Sequence, residues 1–388
     1  MNKPAFPPHS SGQQLPTAIS WLIPIIILLS SLAATNAFTA DDANAIFAAH
    51  TKAFYFTNAE GGFFRATSGV TDTNKTDFWT CAEQLEMTLD AYQASSNAAC
   101  LMVFSNVFKG FIADHGADWR KNPYNDDILW MVIACARAYQ LTGNTVFRDT
   151  AKLNFDVCYA RAWDTNSGGG LWWKTDNRSK NACVNGPGAI AAFLLYRIYH
   201  DPHYRAKSKA IFKWERKTLF DPTSGRVRDN INNHGHFGFK AFTYNEGTFI
   251  GAANFLGYTK EARQAADFTR DNLCQDGILP AYGREGDAAG FNGIFVRWLA
   301  RFMKDHRLQR NYQAWLQTNG EAAWRCRRPG DDLSWSDWTQ STPEGPLNSW
   351  ACSSSVVILQ VVPPTSTRNP KSELRNDAHG GFTSTLKN

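Results

Sequence analysis

The apolar positions of this chain recur at helical spacing from about residue 76 almost to its end. In the first such segment, Leu85, Leu89 and Tyr92 fall on one face of a helix. No convincing series of alternating positions indicates strands. The pattern predicts ten helical segments: 78–94, 126–140, 145–160, 187–199, 203–219, 248–257, 261–273, 291–303, 309–324 and 346–360.

These segments follow a loose repeat. A polar or Gly-rich leader precedes an Ala-rich apolar helix, a short turn follows, and a more polar amphipathic helix comes next. The leaders 125–127, 184–186 and 244–246 are about 60 residues apart. Such self-similarity indicates helical hairpins. About eleven or twelve helices in pairs predict an all-α toroid with buried inner and exposed outer helices, and an open solenoid is the alternative. In a closed toroid the inner helices begin at one end, so their leaders converge on one cleft.

Composition narrows the class of partner. The chain has 388 residues, of which 43% are apolar, so it can bury a large core as one large domain or two ordinary ones. A net charge of +5 without a long basic run argues against nucleic acid. Many of the 14 tryptophans lie beside Gly, Asn or Asp rather than in apolar stripes. Aromatic faces stack on sugars, so the composition favours carbohydrate.

The two ends of the chain differ from the rest. The apolar stretch 21–32 is broken by Pro24, and Thr35 and Ala37 fit a cleavage site. This run is short for a membrane span. Residues 1–37 are therefore predicted to be a secretory signal peptide, with an uncleaved anchor as the alternative. We expect a secreted or periplasmic protein without stable membrane association. Residues 38–362 form the predicted catalytic domain, and 363–388 a polar, disordered tail.

The eight cysteines constrain metal and disulfide chemistry. No CxxC occurs, which argues against a metal cluster. An even number in an exported chain permits disulfides, but the spacing assigns no pairs. Cys135 falls inside an apolar helix and is expected to be a small buried hydrophobe.

The adjacent acids Asp126 and Asp127, at the start of an apolar helix, are the main chemical signal. Retaining glycosidases use two carboxyl groups about 5 Å apart, one as nucleophile and one as proton donor. Neighbouring helical residues diverge by about 100°, so two short side chains can bracket one bond. The alternative is an ordinary helix start, where acids are favoured. The pairs 41–42 and 331–332 serve as comparisons, one at a helix start and one in a loop.

Three further segments are candidates for binding. The glycines 168–170 lack the Lys-Ser/Thr of a phosphate loop and instead present Trp172 or Trp173. The segment 242–248 offers hydroxyl, amide and acid groups for sugar hydroxyls, although Asn245 could equally be a helix N-cap. His234 and His236 do not make a metal site without further ligands. No GxSxG elbow of a serine hydrolase is present.

Four motifs occur in order: Tyr-Asn-Asp-Asp-Ile-Leu-Trp, Gly-Gly-Gly-Leu-Trp-Trp, Val-Asn-Gly-Pro-Gly-Ala and Phe-Thr-Tyr-Asn-Glu-Gly-Thr-Phe-Ile-Gly-Ala. Together they resemble glycoside hydrolase family 76, the endo-α-1,6-mannanases, over roughly residues 45–360. The resemblance implies an (α/α)6 barrel that cleaves α-1,6-mannan with retention. It implies Asp126 as nucleophile and Asp127 as general acid/base, and no metal or organic cofactor.

These roles require different protonation states. Asp126 must be an anion, whereas burial and its charged neighbour must raise the pKa of Asp127. The residues predicted to bind substrate are Trp130, Trp172, Trp173, Asn185, Tyr244, Asn245 and Glu246. A cell-wall mannan transglycosidase of the same fold and a non-catalytic mannan-binding protein are the alternatives. The oligomeric state is left open.

Overall fold

Twelve α-helices contain most of the residues that the computed structural model describes, which are 37–69, 71, 73–165 and 168–364. They are α1 (Ala40–Phe54), α2 (Phe78–Ser95), α3 (Ala98–His115), α4 (Asn125–Thr142), α5 (Thr145–Ala162), α6 (Ala182–Tyr199), α7 (Pro202–Thr218), α8 (Thr243–Leu256), α9 (Thr259–Phe268), α10 (Phe291–His306), α11 (Gln309–Arg325) and α12 (Ser349–Val361). A π-helical turn, Thr269–Leu273, extends α9, and a 3-10 turn, Asp287–Gly290, leads into α10.

Every second helix belongs to a closed inner ring. Helices α2, α4, α6, α8, α10 and α12 each contact the next, and α12 contacts α2. The remaining helices pack outside this ring, mostly against their neighbours in sequence, and α1 packs mainly against α12. The chain is therefore an (α/α)6 barrel, as the repeat and the resemblance predicted.

The sequence explains why the two layers differ. The inner helix α4 is buried on all sides from Ile128 to Ala136, because one face lines the barrel and the other meets the outer helices. The outer helix α7 is buried only along one stripe. Small residues let inner helices approach closely, and a side chain at Gly247 of α8 would collide with the backbone of Phe295 in α10.

Five short strands flank the helices. Strand β1 (Tyr55–Thr57) pairs with β2 (Gly62–Phe64), and β3 (Ser179–Asn181), β4 (Asn230–Asn232) and β5 (Phe237–Gly238) form a second antiparallel sheet. Strand β3 runs directly into α6. The alternation rule could not find strands of two or three residues.

The predicted boundaries were wrong at two inner helices. Helix α6 begins at Ala182 rather than 187, so Pro187 lies inside the helix. Helix α8 begins at Thr243 rather than 248, because Tyr282 accepts the free N–H of Thr243 at 2.9 Å. The alternative reading of Asn245 as an N-cap is also wrong, since Phe242 is the cap residue.

Helix α3 was not predicted. Gly110 interrupts its pattern, and a Cβ at this position would collide with the carbonyl oxygen of Gly62 in β2. The glycine is therefore a packing requirement rather than a helix end.

The predicted signal peptide and polar tail fall almost wholly outside the described residues, and both stay predictions. Within the described ranges, no helix combines the length and apolarity needed to cross a membrane. All eight cysteines lie in this part, and none of them forms a disulfide.

Candidate active site

The N-terminal ends of the inner helices meet at one mouth of the barrel. The carboxylates of Asp77, which caps α2, and of Asp287, before α10, lie close enough to Asp127 to raise its pKa. The start of α8 contacts the start of α10, where the Thr243 hydroxyl donates to Asn292 Oδ1 at 2.9 Å. The leaders therefore converge as the closed ring requires.

Asp126 lies in the first turn of α4, and its two carboxylate oxygens have different surroundings. The oxygen Oδ2 accepts hydrogen bonds from the indole of Trp173 at 2.9 Å and from the thiol of Cys183 at 3.3 Å. The oxygen Oδ1 is enclosed and has no hydrogen-bond partner among the described residues. Burial raises the pKa of Asp126 to about 6, against the opposing effect of these two donors.

Asp127 shares the turn but has fewer donors. The amide of Asn122 donates to its Oδ2 at 3.0 Å. Burial and the charge of Asp126 raise the pKa of Asp127 to about 8. Between these two values Asp126 is the anion and Asp127 the acid, so the pair has the division of labour that acid-assisted nucleophilic attack needs.

A bracing network holds the start of α4. The guanidinium of Arg161 in α5 donates to Asn125 Oδ1 at 2.6 Å and to the carbonyl oxygens of Arg120 and Asn122, both at 2.7 Å. Asn125 in turn donates to the Trp172 carbonyl at 2.7 Å. Since Tyr124, the N-cap, makes no side-chain cap bond, these contacts fix the acid pair instead.

The Gly-rich loop places its two tryptophans differently. Trp173 reaches Asp126, whereas Trp172 lies beside Lys180, whose Nζ is 4.5 Å from its ring centroid. Both are half-buried. Asn185 is fully buried and clamps this loop, accepting from Leu171 N at 2.8 Å and donating to Leu171 O at 3.2 Å. Its amide is thus engaged with the protein backbone.

The segment at the start of α8 contributes one half-buried aromatic ring and two buried polar side chains. Tyr244 is half-buried, stacks on Phe291 with ring centroids 3.7 Å apart, and lies close enough to Cys183 for the two groups to raise and lower each other's pKa. The buried Asn245 donates to Asp229 Oδ1 at 3.0 Å. Glu246 is also fully buried.

The carboxyl of Glu246 accepts from Val227 N at 2.8 Å, which fixes the loop carrying Asp229. Burial raises the pKa of Glu246 well above its usual range. Trp130, one turn beyond the acid pair on α4, is 1% exposed and packs near Trp79 and Tyr244. Asp126, Trp173 and Tyr244 thus meet around Cys183, whereas Asn185, Asn245 and Glu246 contact the protein around them.

The two comparison pairs have ordinary surroundings. Asp42 completes a capping box with Thr39, whose backbone N–H it accepts at 2.8 Å. Asp331 pairs with Arg328 at 2.6 Å and Asp332 with Arg327 at 3.0 Å. His234 and His236 are exposed on the β4–β5 turn. In the described part of the chain, no group of three or more His, Cys, Asp or Glu is arranged to hold a metal ion.

A cavity of about 550 Å³ opens at the opposite end of the barrel. Its arginines Arg137 and Arg297 are engaged by Glu83, Glu86 and Asp90 of α2. The acid pair is the better candidate for chemistry because its carboxylates have only neutral donors.

Residues 39–367 match the family model of glycosyl hydrolase family 76. The chain belongs to glycosyl hydrolase family 76. It is thus a member of a glycosidase family, as its motifs predicted, and the family model covers all twelve helices of the barrel. No curated protein matches this family 76 chain significantly.

Solved structures agree with this family 76 assignment. The chain resembles the α-1,6-mannanase of Salegentibacter sp. HEL1_6, with 29% identity and a TM-score of 0.76 over 83% of this chain and 98% of that one. An inactive variant of that enzyme, with two aspartates replaced by asparagine, was solved with α-1,6-mannotriose.

Two more distant likenesses concern the fold alone. The Lin0763 protein of Listeria innocua is 24% identical with a TM-score of 0.76, over 88% of this chain and 99% of that one. Dfg5 of Chaetomium thermophilum, solved with glucosamine, is 16% identical with a TM-score of 0.71, over 83% and 89%.

Several residues of this family 76 site were not found from the sequence. Arg161 and Asp229 act through side-chain contacts with residues 36 and 16 positions away, and Asn122 contacts Asp127 five residues later; no motif marks any of the three. Cys183 directly precedes the leader 184–186, so the repeat identified its segment but not its side chain.

Proposed function

We propose that this protein is a retaining endo-α-1,6-mannanase that uses Asp126 as nucleophile and Asp127 as general acid/base. The supporting observation is the inequality of the two carboxyls, one with an enclosed free oxygen and the lower pKa, the other with the higher pKa. The similar α-1,6-mannanase, whose double aspartate variant is inactive, supports the substrate class.

In the proposed reaction, the carboxylate of Asp126 attacks the anomeric carbon while Asp127 protonates the departing glycosidic oxygen. The bond between the anomeric carbon and that oxygen breaks, and a mannosyl ester forms on Asp126. Asp127, now an anion, takes a proton from water, whose oxygen displaces Asp126. Two inversions give net retention. Tyr244 and Trp173 flank the sugar, and the buried Trp130 packs behind Tyr244.

We also propose that the protein is exported, because a mannan polymer is met outside the cell and residues 1–37 have the pattern of a signal peptide.

The test is incubation of the purified domain with linear α-1,6-mannan, following product size and the anomeric configuration of the first products by NMR. We expect short α-anomeric oligomannosides, and none from the Asp126→Asn variant. Initial β-anomers would contradict retention, and release of mannose alone would contradict endo action. Binding without cleavage, with transfer to an added oligomannoside, would assign a transglycosidase instead. Binding with neither would assign a mannan-binding protein.

A further inference from the structure

The thiol of Cys183 lies against the proposed nucleophile. Cys183 is the second residue of α6 and is 4% exposed, and its Sγ is 3.3 Å from Asp126 Oδ2. It reaches this position because β3 runs directly into α6, five residues before the start predicted from Pro187. The early start carries residue 183 to the mouth of the barrel.

The other cysteines have different partners. Cys135 is buried in α4, and burial alone raises the pKa of its thiol. Cys158 and Cys326 donate to the backbone carbonyls of Asn125 and Trp338. Among the described residues, which include all eight cysteines, only the thiol of Cys183 hydrogen-bonds to a carboxylate. Its contact with Asp126 is therefore not a general property of buried cysteines in this fold.

We propose that Cys183 is a positioning residue that, together with Trp173, holds Oδ2 of Asp126 and thereby fixes the carboxylate plane of the proposed nucleophile. This inference rests on the proposed function. The terminal torsion of an aspartate is soft and roughly two-fold. Two donors from separate elements, the Gly-rich loop and α6, hold Oδ2 and thereby restrict rotation of the carboxylate about this torsion.

The surroundings keep this thiol a donor. Burial raises the pKa of Cys183 well above its usual range, and the carboxylates of Asp126 and Asp229 raise it further. The ionisable groups around Asp126 and this thiol are Asp127 on α4, Cys158 on α5, Asp229 before β4, and Tyr244 on α8. A thiol is a weak donor, so it orients the carboxylate while leaving it more nucleophilic than a hydroxyl would.

The experiment compares Cys183→Ala, Cys183→Val and Cys183→Ser with Cys135→Ala, which removes a buried thiol elsewhere. The readouts are the titration of the Asp126 carboxyl, followed by carbon-13 NMR with Asp126→Asn for assignment, and the pH profile of kcat. Removing a donor to the anion raises its pKa. In Ala and Val variants we expect the titration and the acidic limb to move up by about 0.5–1 pH unit.

The same variants should lower kcat by about tenfold with little change in KM, because they remove a hydrogen bond to the charged nucleophile but no contact with the substrate. Cys183→Ser keeps a donor, and because a hydroxyl donates more strongly than a thiol the pKa of Asp126 should stay at or below its wild-type value. Cys135→Ala should match the wild type. The valine variant fills the space if alanine disturbs folding.

An Asp126 titration in Cys183→Ala and Cys183→Val equal to that in Cys135→Ala would overturn the proposal. The NMR titration needs no substrate. If the wild type does not cleave α-1,6-mannan, the proposed function fails while the titration still decides whether the thiol acts on Asp126.

Discussion

Two clusters of carboxylates in this barrel differ in their partners, since one is paired with arginines and the other is not. In the interior, Glu83, Glu86 and Asp90 of α2 meet Arg137 and Arg297 at 2.5–2.6 Å. At the mouth, Asp126 and Asp127 accept only neutral donors, and no lysine or arginine pairs with either carboxylate in the described part of the chain.

This difference in partners determines the net charge and the pKa values of each cluster. Three carboxylates and two arginines leave one excess negative charge inside, and burial raises the pKa of Glu83 to about 7, so one proton can offset it. That network connects α2, α4 and α10 across the ring. At the mouth the cost of burial is left uncompensated, which shifts both pKa values toward the range where proton transfer is useful. On the proposed assignment, burial of the acid pair lowers the stability of the fold and keeps both carboxyls near the pKa range in which they can transfer protons.

The largest expected effect is on activity. Asp127→Asn should lower kcat/KM by about 10²–10⁴-fold, the usual contribution of general acid–base catalysis, and Asp126→Asn should be at least as severe. Glu86→Gln, in the interior network, is the comparison variant and should keep the acid pair's pH profile. Mannan hydrolysis measures this. Near-normal turnover in either asparagine variant would remove the assignment.

Relative to the wild type, the same variants should become more stable as the pH rises. Because the folded-state pKa of each aspartate is raised, the folded protein holds extra protons between about pH 4 and pH 8, and stability falls across that window. Asparagine removes this loss. We expect Asp126→Asn to exceed the wild type in free energy of unfolding at pH 9 by roughly 1–3 kcal/mol, and to match it near pH 4. Urea titrations at both pH values measure the difference.

Breaking the ion-pair network in the interior should instead lower the free energy of unfolding. Arg297→Met leaves Glu83 buried without a cationic partner and Asp90 with Arg137 alone. This should cost about 3–5 kcal/mol of unfolding free energy. The control is Arg301→Met on the same helix, whose side chain is 47% exposed and pairs with Asp305 at 2.8 Å. Such exposed pairs are worth about 0–1 kcal/mol. Equal losses in the two variants would mean that burial of the network adds nothing.

The pH profile should be bell-shaped. Activity requires Asp126 ionised and Asp127 protonated, so it should rise through about pH 6 and fall through about pH 8, following the two pKa values. Initial rates on mannan in buffers of constant ionic strength measure both limbs. In Asp127→Asn the residual activity should lose its basic limb, and persistence of that limb would assign it to another group.

The smallest expected effect comes from removing the single hydrogen-bond donor to Asp127. Asn122→Ala removes the hydrogen bond to Asp127 Oδ2, which raises the pKa of Asp127 and moves the basic limb up by about 1 pH unit, or about 1.4 kcal/mol. Asn122→Asp keeps the acceptor for Tyr124 N but adds a negative charge, so its shift should be larger. Asn144→Ala, which removes the cap of α5, should lower stability without moving either limb.

The periodicity of apolar positions predicted ten of the helices and the pairing of inner and outer layers, because amphipathic spacing is a local property of the chain. It failed at α3, where Gly110 is required by the approach of β2, and at α6 and α8, whose first turns are set by β3 and by Tyr282. Turns and caps are also local features, but these two helix starts depend on distant residues. Tyr282 accepts from the first residue of α8, and β3, which leads into α6, is held by its pairing with β4.

The sequence by itself determined the helical repeat, the membership of family 76 and the presence of an acid pair at an inner-helix start. The structure showed what surrounds each acid pair: arginines contact Asp331 and Asp332, whereas only neutral donors among the described residues contact Asp126 and Asp127. The tertiary structure turned Asn185, Asn245 and Glu246 toward the protein and brought Cys183 and Arg161 to the start of α4. The physical reason is that hydrogen bonding and burial set protonation and orientation, and both depend on residues that meet only when the ring closes.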